Sequence, residues 1–141
     1  MSAPDLPFDP ATMPMGTLGE RMGLVITEVT PDRIVGTMPV EGNQQPYGLL
    51  HGGASVVLAE TLGSIGSALH AQTLGKLAVG VDINATHHRA ARSGLVTGVA
   101  TPLHRGRSAA AWDIVITDED GKRVCTSRIT CALVDGAQIG G

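Results

Sequence analysis

Glu60 stands where a carboxylate can do chemistry. It sits in the run Val56-Val57-Leu58-Ala59-Glu60-Thr61-Leu62, and a helix through that run puts Gly53, Val56, Gly63, Ser64 and Ser67 on the same face. Small residues on a helix face admit another backbone or a ligand. A carboxylate among them is expected to be desolvated and reactive, able to attack a carbonyl or to activate water. The competing reading is a solvated surface glutamate, the ordinary state of a helical Glu.

Upstream of Glu60, His51-Gly52-Gly53 opens the same helical pattern. The first amides of a helix have no intrahelical acceptor and lie at the positive end of its dipole. They can polarise a carbonyl or hold an oxyanion. Two glycines at a helix start are also a simple steric convenience, so the pair alone decides nothing. No Lys-Ser/Thr follows, which excludes a P-loop.

A third group is basic. Thr86-His87-His88-Arg89 and His104-Arg105-Gly106-Arg107-Ser108 are expected at two neighbouring strand ends, where Arg, His and Ser together bind phosphates. A solvated edge that discourages aggregation would look the same. Metal chemistry finds no support, because histidines 51, 70, 87, 88 and 104 lack His-x-x-x-His spacing and the cysteines lack Cys-x-x-Cys. A serine nucleophile lacks Gly-x-Ser-x-Gly, and Gly63-Ser64-Ile65-Gly66 is helical.

These residues need a scaffold, and the hydrophobic pattern predicts one. Leu24 to Val29 and Arg33 to Val40, separated by Thr30-Pro31-Asp32, read as a hairpin, and Glu41 to Leu50 as a loop. Leu58, Leu62, Ile65 and Leu69, with Ala54 a turn earlier, make one apolar stripe of a helix from His51 to about Leu74, with Gly75 as a plausible stop. Leu77, Val79, Val81, Ile83 and Ala85 alternate with small or polar residues, a strand with one aliphatic face. Leu95 to Thr101, Ala110 to Thr117 and Val124 to Val134 follow, the last two joined by Asp118-Glu119-Asp120-Gly121.

The fold class is therefore α+β: an antiparallel sheet of about five to six strands wrapped around one long helix. Sheet surface left open by a single helix points to association through an edge strand. Residues 1–22 read as an irregular Pro-rich lead-in with a short helical turn at Thr17 to Met22. Residues 23–135 form the domain, and 136–141 a flexible tail.

Composition narrows the classes further. The 141 residues fit one domain. With 43% hydrophobic residues the chain is expected to fold, and with 2% aromatics its core must be aliphatic. A net charge of −3 without a basic face argues against nucleic acid. Cys125 and Cys131, six residues apart on one strand, would be roughly 20 Å apart, too far for a disulfide. They read as buried thiols of a reducing compartment. The start Met-Ser-Ala-Pro-Asp lacks the basic and apolar regions of a signal peptide, and no apolar run spans a bilayer. The expectation is a soluble cytoplasmic protein.

The segments Gln45-Pro46-Tyr47-Gly48-Leu49-Leu50-His51-Gly52-Gly53-Ala54-Ser55 and Leu58-Ala59-Glu60-Thr61-Leu62-Gly63-Ser64 resemble the hotdog-fold thioesterases. The likeness is to the branch with the Glu-type 4-hydroxybenzoyl-CoA, 1,4-dihydroxy-2-naphthoyl-CoA and enterobactin-pathway proofreading enzymes. Asp82 to Arg89 and Pro102 to Arg107 match its later segments, so the resemblance runs from Glu41 to Leu133.

The resemblance implies hydrolysis of an acyl-CoA, in that branch an aryl-CoA, with no cofactor beyond the CoA of the substrate. It implies that Glu60 is the nucleophile or general base and that the Gly52 N–H polarises the carbonyl. Gln45 and His51 would position the acyl group and assist thiolate departure, and Ser64 would orient water. Gly80 would line the pantetheine path. His87, His88, Arg89 and the segment His104, Arg105, Gly106, Arg107, Ser108 would meet the nucleotide. Sites in this family lie between subunits, commonly in a tetramer built from two dimers. Two other functions fit the fold: a non-catalytic acyl-CoA sensor, which would not need Glu60, and a hydratase or dehydratase, which places its acid–histidine pair differently.

Overall fold

Six alternating segments pair into one antiparallel sheet, and the long helical segment Gly52–Gln72 lies across it. The computed structural model describes residues 14–136. The elements are α1 (Gly16–Met22), β1 (Val25–Thr30), β2 (Arg33–Pro39), α2 (Gly52–Gln72), β3 (Leu77–His87), β4 (Leu95–Arg105), β5 (Ala109–Thr117) and β6 (Arg123–Val134). The sheet order is β1-β2-β4-β5-β6-β3. The chain therefore leaves β2, passes along α2 and returns at the far edge as β3. This is the hotdog arrangement, with α2 packed on β2, β3, β4, β5 and β6. The lead-in before residue 14 and the tail from residue 137 lie outside the described residues.

Helix and sheet approach closely because glycines on both sides remove the side chains between them. Gly36 and Gly98 face each other across β2 and β4. A Cβ on either would meet Leu62, at 2.9 and 2.7 Å respectively. From the helix side, Gly63 meets Ile129 and Gly66 meets the Trp112 ring, at 2.3 and 2.6 Å from an added Cβ. Around these contacts Leu58, Leu62, Ile34, Met38, Val96, Ile114 and Ile116 are fully buried. The core is aliphatic, with Trp112 its single large ring. Cys125 and Cys131 are buried, unpaired thiols.

Register shifts in β3 and β4 bear on the site. In β3 the ladder to β6 shifts between Gly80 and Asp82. A bulge inserts one residue and reverses the facing of everything beyond it. Ala78, Ile83 and Ala85 accordingly pack against the core, while Leu77 and Val81 are exposed at 45% and 61%. The aliphatic face read from the sequence is thus split between two sides of the sheet. In β4 pairing continues past Thr101 to Arg105 with a shift between Pro102 and His104. The bulge accommodates Pro102, which has no N–H to offer the ladder, and brings His104 and Arg105 into the strand.

The helix ends at Gln72 with Thr73 as its C-cap, and Gly75 takes a positive φ in the turn that follows. Among the described residues no helix is long and apolar enough to cross a membrane.

Candidate active site

Glu60 lies where α2 crosses β3. A Cβ on Gly80 would stand 3.5 Å from Glu60 Oε2. The carboxylate looks into two clefts. One, of 410 Å³, is lined by Met15, Thr61, Ser64, Ile65 and Ala78 among others. The other, of 310 Å³, is formed by Gly80, Val81, Asp82, Ile83 and Ile129. Ser64 thus shares a cleft with Glu60, as its spacing of one turn requires.

The expected desolvation does not arise within one chain, where Glu60 is exposed. The physical reason lies in the small residues around it. Gly63 and Ser67 are buried, and Gly63 faces Ile129. They let the helix settle on the sheet rather than admit a ligand to the glutamate.

The start of α2 builds a separate pocket. His51 is the N-cap, with extended backbone, and its Nδ1 accepts from Gly53 N–H at 2.8 Å. An accepting nitrogen carries no proton, so in the neutral ring the hydrogen is on Nε2. Gly52 is the first helical residue, where an amide has no intrahelical partner. The ring of His87 packs on its α-carbon, 2.8 Å from an added Cβ. Gln45 belongs to the preceding loop, where its side-chain oxygen accepts from the Tyr47 N–H. Gly48 N–H closes that loop onto Gln45 O at 2.9 Å.

Together Gln45, Gly52, His87, His88 and Arg89 line a 390 Å³ cleft. Ser55 also lines it and is buried at 1% exposure. The sequence reading passed over Ser55. Its position one turn beyond His51, on the side of the helix start that faces β3, was the available signal.

Glu60 is not in that cleft. Eight residues separate it from Gly52, about 12 Å along a helix axis. No single carbonyl reaches both within one chain.

The basic segments are likewise apart. His87 pairs with Cys125, near the start of β6, whereas Ala109, just after the β4–β5 turn, pairs with Ala132, near its end. Seven residues of strand separate them, about 23 Å. The expected clamp of neighbouring strand ends is therefore two sites at opposite ends of the sheet. The cause is topological. The β4–β5 hairpin turns at the end where β3 begins, so the end of β3 lies at the other.

Some of these side chains are already engaged. Arg105 Nη1 donates to Asp32 Oδ1 at 2.9 Å and to Pro31 O at 3.1 Å, joining β4 to the β1–β2 turn. His88 Nε2 lies 2.9 Å from Thr126 Oγ1. Arg89 stands 3.8 Å from Asp118 in a loose ion pair. The His104 ring packs over Gly106, while Arg107 and Ser108 project into solvent from the turn. Among the described residues no group of three His, Cys, Asp or Glu is placed to hold a metal.

Comparison with known proteins gives the family. The thioesterase superfamily profile matches residues 47–125, a span from the loop before α2 to the start of β6. The proofreading thioesterase EntH of Cronobacter sakazakii is 50% identical over 121 residues, covering 85% of this chain and 88% of the relative. A crystal structure of a thioesterase from Haemophilus influenzae superposes with a TM-score of 0.79 at 44% identity, over 86% of this chain and 85% of the other. A mutant thioesterase from Pseudomonas aeruginosa gives 0.80 at 43% identity, over 84% and 86%. The family match, the relatives and the shared fold agree: this chain belongs to the hotdog-fold thioesterase superfamily and is a thioester hydrolase.

Proposed function

We propose that the protein hydrolyses an aryl acyl-CoA thioester at a site shared by two copies of the chain, with Glu60 from one and the helix start from the other. The observation that carries this reading is the separation of Gly52 and Glu60 by about 12 Å on one helix, each at the mouth of its own cleft. Between them runs β3, an edge strand with Val81 exposed. A two-fold axis near the middle of β3 makes the two copies of that strand antiparallel. It carries the His87 end of one copy toward the Gly80 end of the other. Gly52, packed on His87, then approaches the partner's Glu60. The same contact covers the exposed carboxylate and raises its reactivity.

The chemistry follows from the groups so assembled. The Gly52 N–H, at the positive end of α2, hydrogen-bonds the thioester carbonyl oxygen and takes up charge as it develops. Glu60 either attacks the carbonyl carbon, giving an acyl anhydride that water opens, or removes a proton from water that attacks directly. In both routes the carbon–sulfur bond breaks, CoA leaves as thiolate and the free acid remains. The Nε2–H of His51 and the amide of Gln45 are the donors for the acyl group and the departing sulfur. Ser64 holds the water and Gly80 leaves room for the pantetheine arm. His87, His88 and Arg89 of one copy, and Arg107, Ser108 and His104 of the other, which the two-fold brings to the same end, meet the nucleotide. Arg105 joins them through the strand it holds. No cofactor is needed beyond the CoA of the substrate, and the assembly is a cytoplasmic tetramer of two such dimers. The likeness to the aryl-CoA branch is what supports an aryl acyl group.

Thiol release from benzoyl-, 4-hydroxybenzoyl-, dihydroxynaphthoyl-, phenylacetyl- and medium-chain CoA, for wild type beside Glu60→Gln, tests the assignment. Turnover of the aryl esters, reduced by about a thousandfold or more in the variant, is the expected result. Full turnover by Glu60→Gln overturns the catalytic role, and preference for aliphatic esters overturns the aryl reading.

A further inference from the structure

The turn between β4 and β5 is held from behind. Gly106 O lies 2.7 Å from His70 Nε2, and Arg107 O accepts from Lys76 Nζ at 2.6 Å. Ser108 O accepts from the Leu133 N–H at 2.9 Å. Three successive carbonyls of one turn are thus tied to the body of the protein. Gly106 N–H closes the turn onto Ala109 O at 2.9 Å. His70 belongs to the last turn of α2, and Lys76 to the loop beyond it. Neither lies near the turn in sequence, and neither touches Glu60 or the helix start. A carbonyl only accepts, so His70 Nε2 carries a hydrogen. The bond from Lys76 is charge-assisted and correspondingly strong. With its carbonyls drawn inward, the turn presents the exposed side chains of Arg107 and Ser108 outward.

We infer that His70 and Lys76 are positioning residues for CoA recognition: they hold the Gly106–Ser108 turn so that Arg107 and Ser108 meet the nucleotide phosphates already ordered. The inference rests on the proposed reading of that turn as part of the nucleotide site. Its physical basis is the cost of ordering. A tight turn with free carbonyls must be immobilised when the phosphate binds, and that cost weakens affinity. A turn already fixed by three hydrogen bonds bears it on folding. The reacting carbonyl lies at Glu60, away from this turn. Loss of the two latches therefore weakens ground-state binding without changing the chemical step, which is a rise in KM at constant kcat. A thioester that ends at pantetheine has no nucleotide and is indifferent to the latches.

The test compares one acyl group as its CoA ester and as its pantetheine ester. Wild type is set beside His70→Leu/Lys76→Met, His70→Gln/Lys76→Arg and Arg107→Ala. Leucine and methionine keep the helix and the bulk but donate nothing, whereas glutamine and arginine keep a donor. In His70→Leu/Lys76→Met the KM for the CoA ester is expected to rise about tenfold with kcat within a factor of two. The pantetheine ester is expected to be unaffected, and the donor-keeping variant to stay near wild type. Equal losses on both esters mean a merely structural role, and no change at all means that the latches do not matter. Either result overturns the inference. Arg107→Ala separates the two levels. If it leaves KM for the CoA ester unchanged, the nucleotide reading fails and this inference falls with it. If it raises KM while His70→Leu/Lys76→Met does not, the positioning role alone fails.

Discussion

Gly80 lies against the Glu60 carboxylate, with 3.5 Å between an added Cβ and Oε2. The edge strand thereby forms the floor beneath the glutamate, and the absence of a side chain at position 80 keeps the cleft open there. Gly80→Ala adds only an ordinary van der Waals contact and is expected to cost less than about threefold in kcat/KM. Gly80→Val places a branched group beside the carboxylate. It is expected to lower kcat/KM by about a hundredfold while the thermal midpoint moves by a few degrees at most. Steady-state kinetics beside thermal unfolding decide it. Equal activity in the valine variant would place the reacting carbonyl elsewhere.

The small residues of α2 away from Glu60 make a prediction about stability. An alanine at Gly66 gains about 1 kcal/mol of helix propensity. Its Cβ, however, would lie 2.6 Å from the Trp112 ring, which is fully buried and cannot swing aside. Overpacking of this kind costs about 1–3 kcal/mol. The expected outcome of Gly66→Ala is a net loss of up to about 2 kcal/mol in urea unfolding, against the helix scale. A stabilised variant would mean that the sheet gives way more easily than the close packing around Gly63 and Gly66 suggests.

Those same glycines show what was legible in the sequence. The periodicity of Leu58, Leu62 and Leu69 and the alternation within the strands are local properties of the chain, so the number and order of elements could be read directly. Gly63 and Ser67 share the face of Glu60 by their spacing, but what that face meets was not legible, because a small residue is compatible both with a ligand and with a closely packed sheet. For Gly63 the position of Ile129 decides between them. The β3 bulge was invisible for a related reason. Leu77, Val79 and Val81 alternate properly until one extra residue reverses the facing, and side-chain type alone does not mark where. The basic segments carried the largest error. Their placement at strand ends was sound, but which end depends on the order β5-β6-β3, a property of the whole sheet. Likewise, the segments Gln45 to Ser55 and Leu58 to Ser64 carried the resemblance to the group of enzymes, while the distance from Gly52 to Glu60 along a helix pointed beyond one chain.

The two thiols give stability a pH dependence. Burial raises Cys125 above its ordinary value. It also raises Cys131, where the Ser67 and Ser64 hydroxyls pull the other way and the Glu60 charge adds to the rise. A raised thiol stays protonated in the folded chain after the unfolded chain has released its proton. The unfolded state then binds fewer protons, so stability falls as pH rises. The contribution is complete below the unfolded value of 9.0 and is lost as pH climbs toward the folded one. Urea unfolding between neutral pH and about pH 10 is expected to show this decline, and Cys125→Ala/Cys131→Ala to show a shallower one. The slope is the readout, since removing buried sulfur lowers stability at every pH. Identical slopes would mean that the thiols titrate alike in both states.

The last prediction tests whether the site is shared. Gly52 opens α2, and proline is well tolerated at the first helical position because its missing N–H has no helical partner there. His51 already has the extended backbone that a following proline demands. Gly52→Pro therefore removes one amide hydrogen and is compatible with the helix, with its Cβ 2.8 Å from the His87 ring. Each of Gly52→Pro and Glu60→Gln alone is expected to be nearly inactive. If Glu60 of one chain works with Gly52 of the other, a dimer of one variant with the other holds one intact site and one doubly damaged site. An equal mixture, unfolded and refolded together, is then expected to recover about a quarter of wild-type turnover, because half of the dimers are mixed and half of their sites are whole. A site contained within one chain recovers nothing on mixing. Val81→Lys supplies the control. A charge on the exposed bulge of β3 opposes edge pairing, so this variant is expected to sediment as a monomer and to lose activity with its fold intact. An active monomer would require one carbonyl to meet both ends of the about 12 Å that separate Gly52 from Glu60 on their shared helix, which the geometry of α2 does not allow.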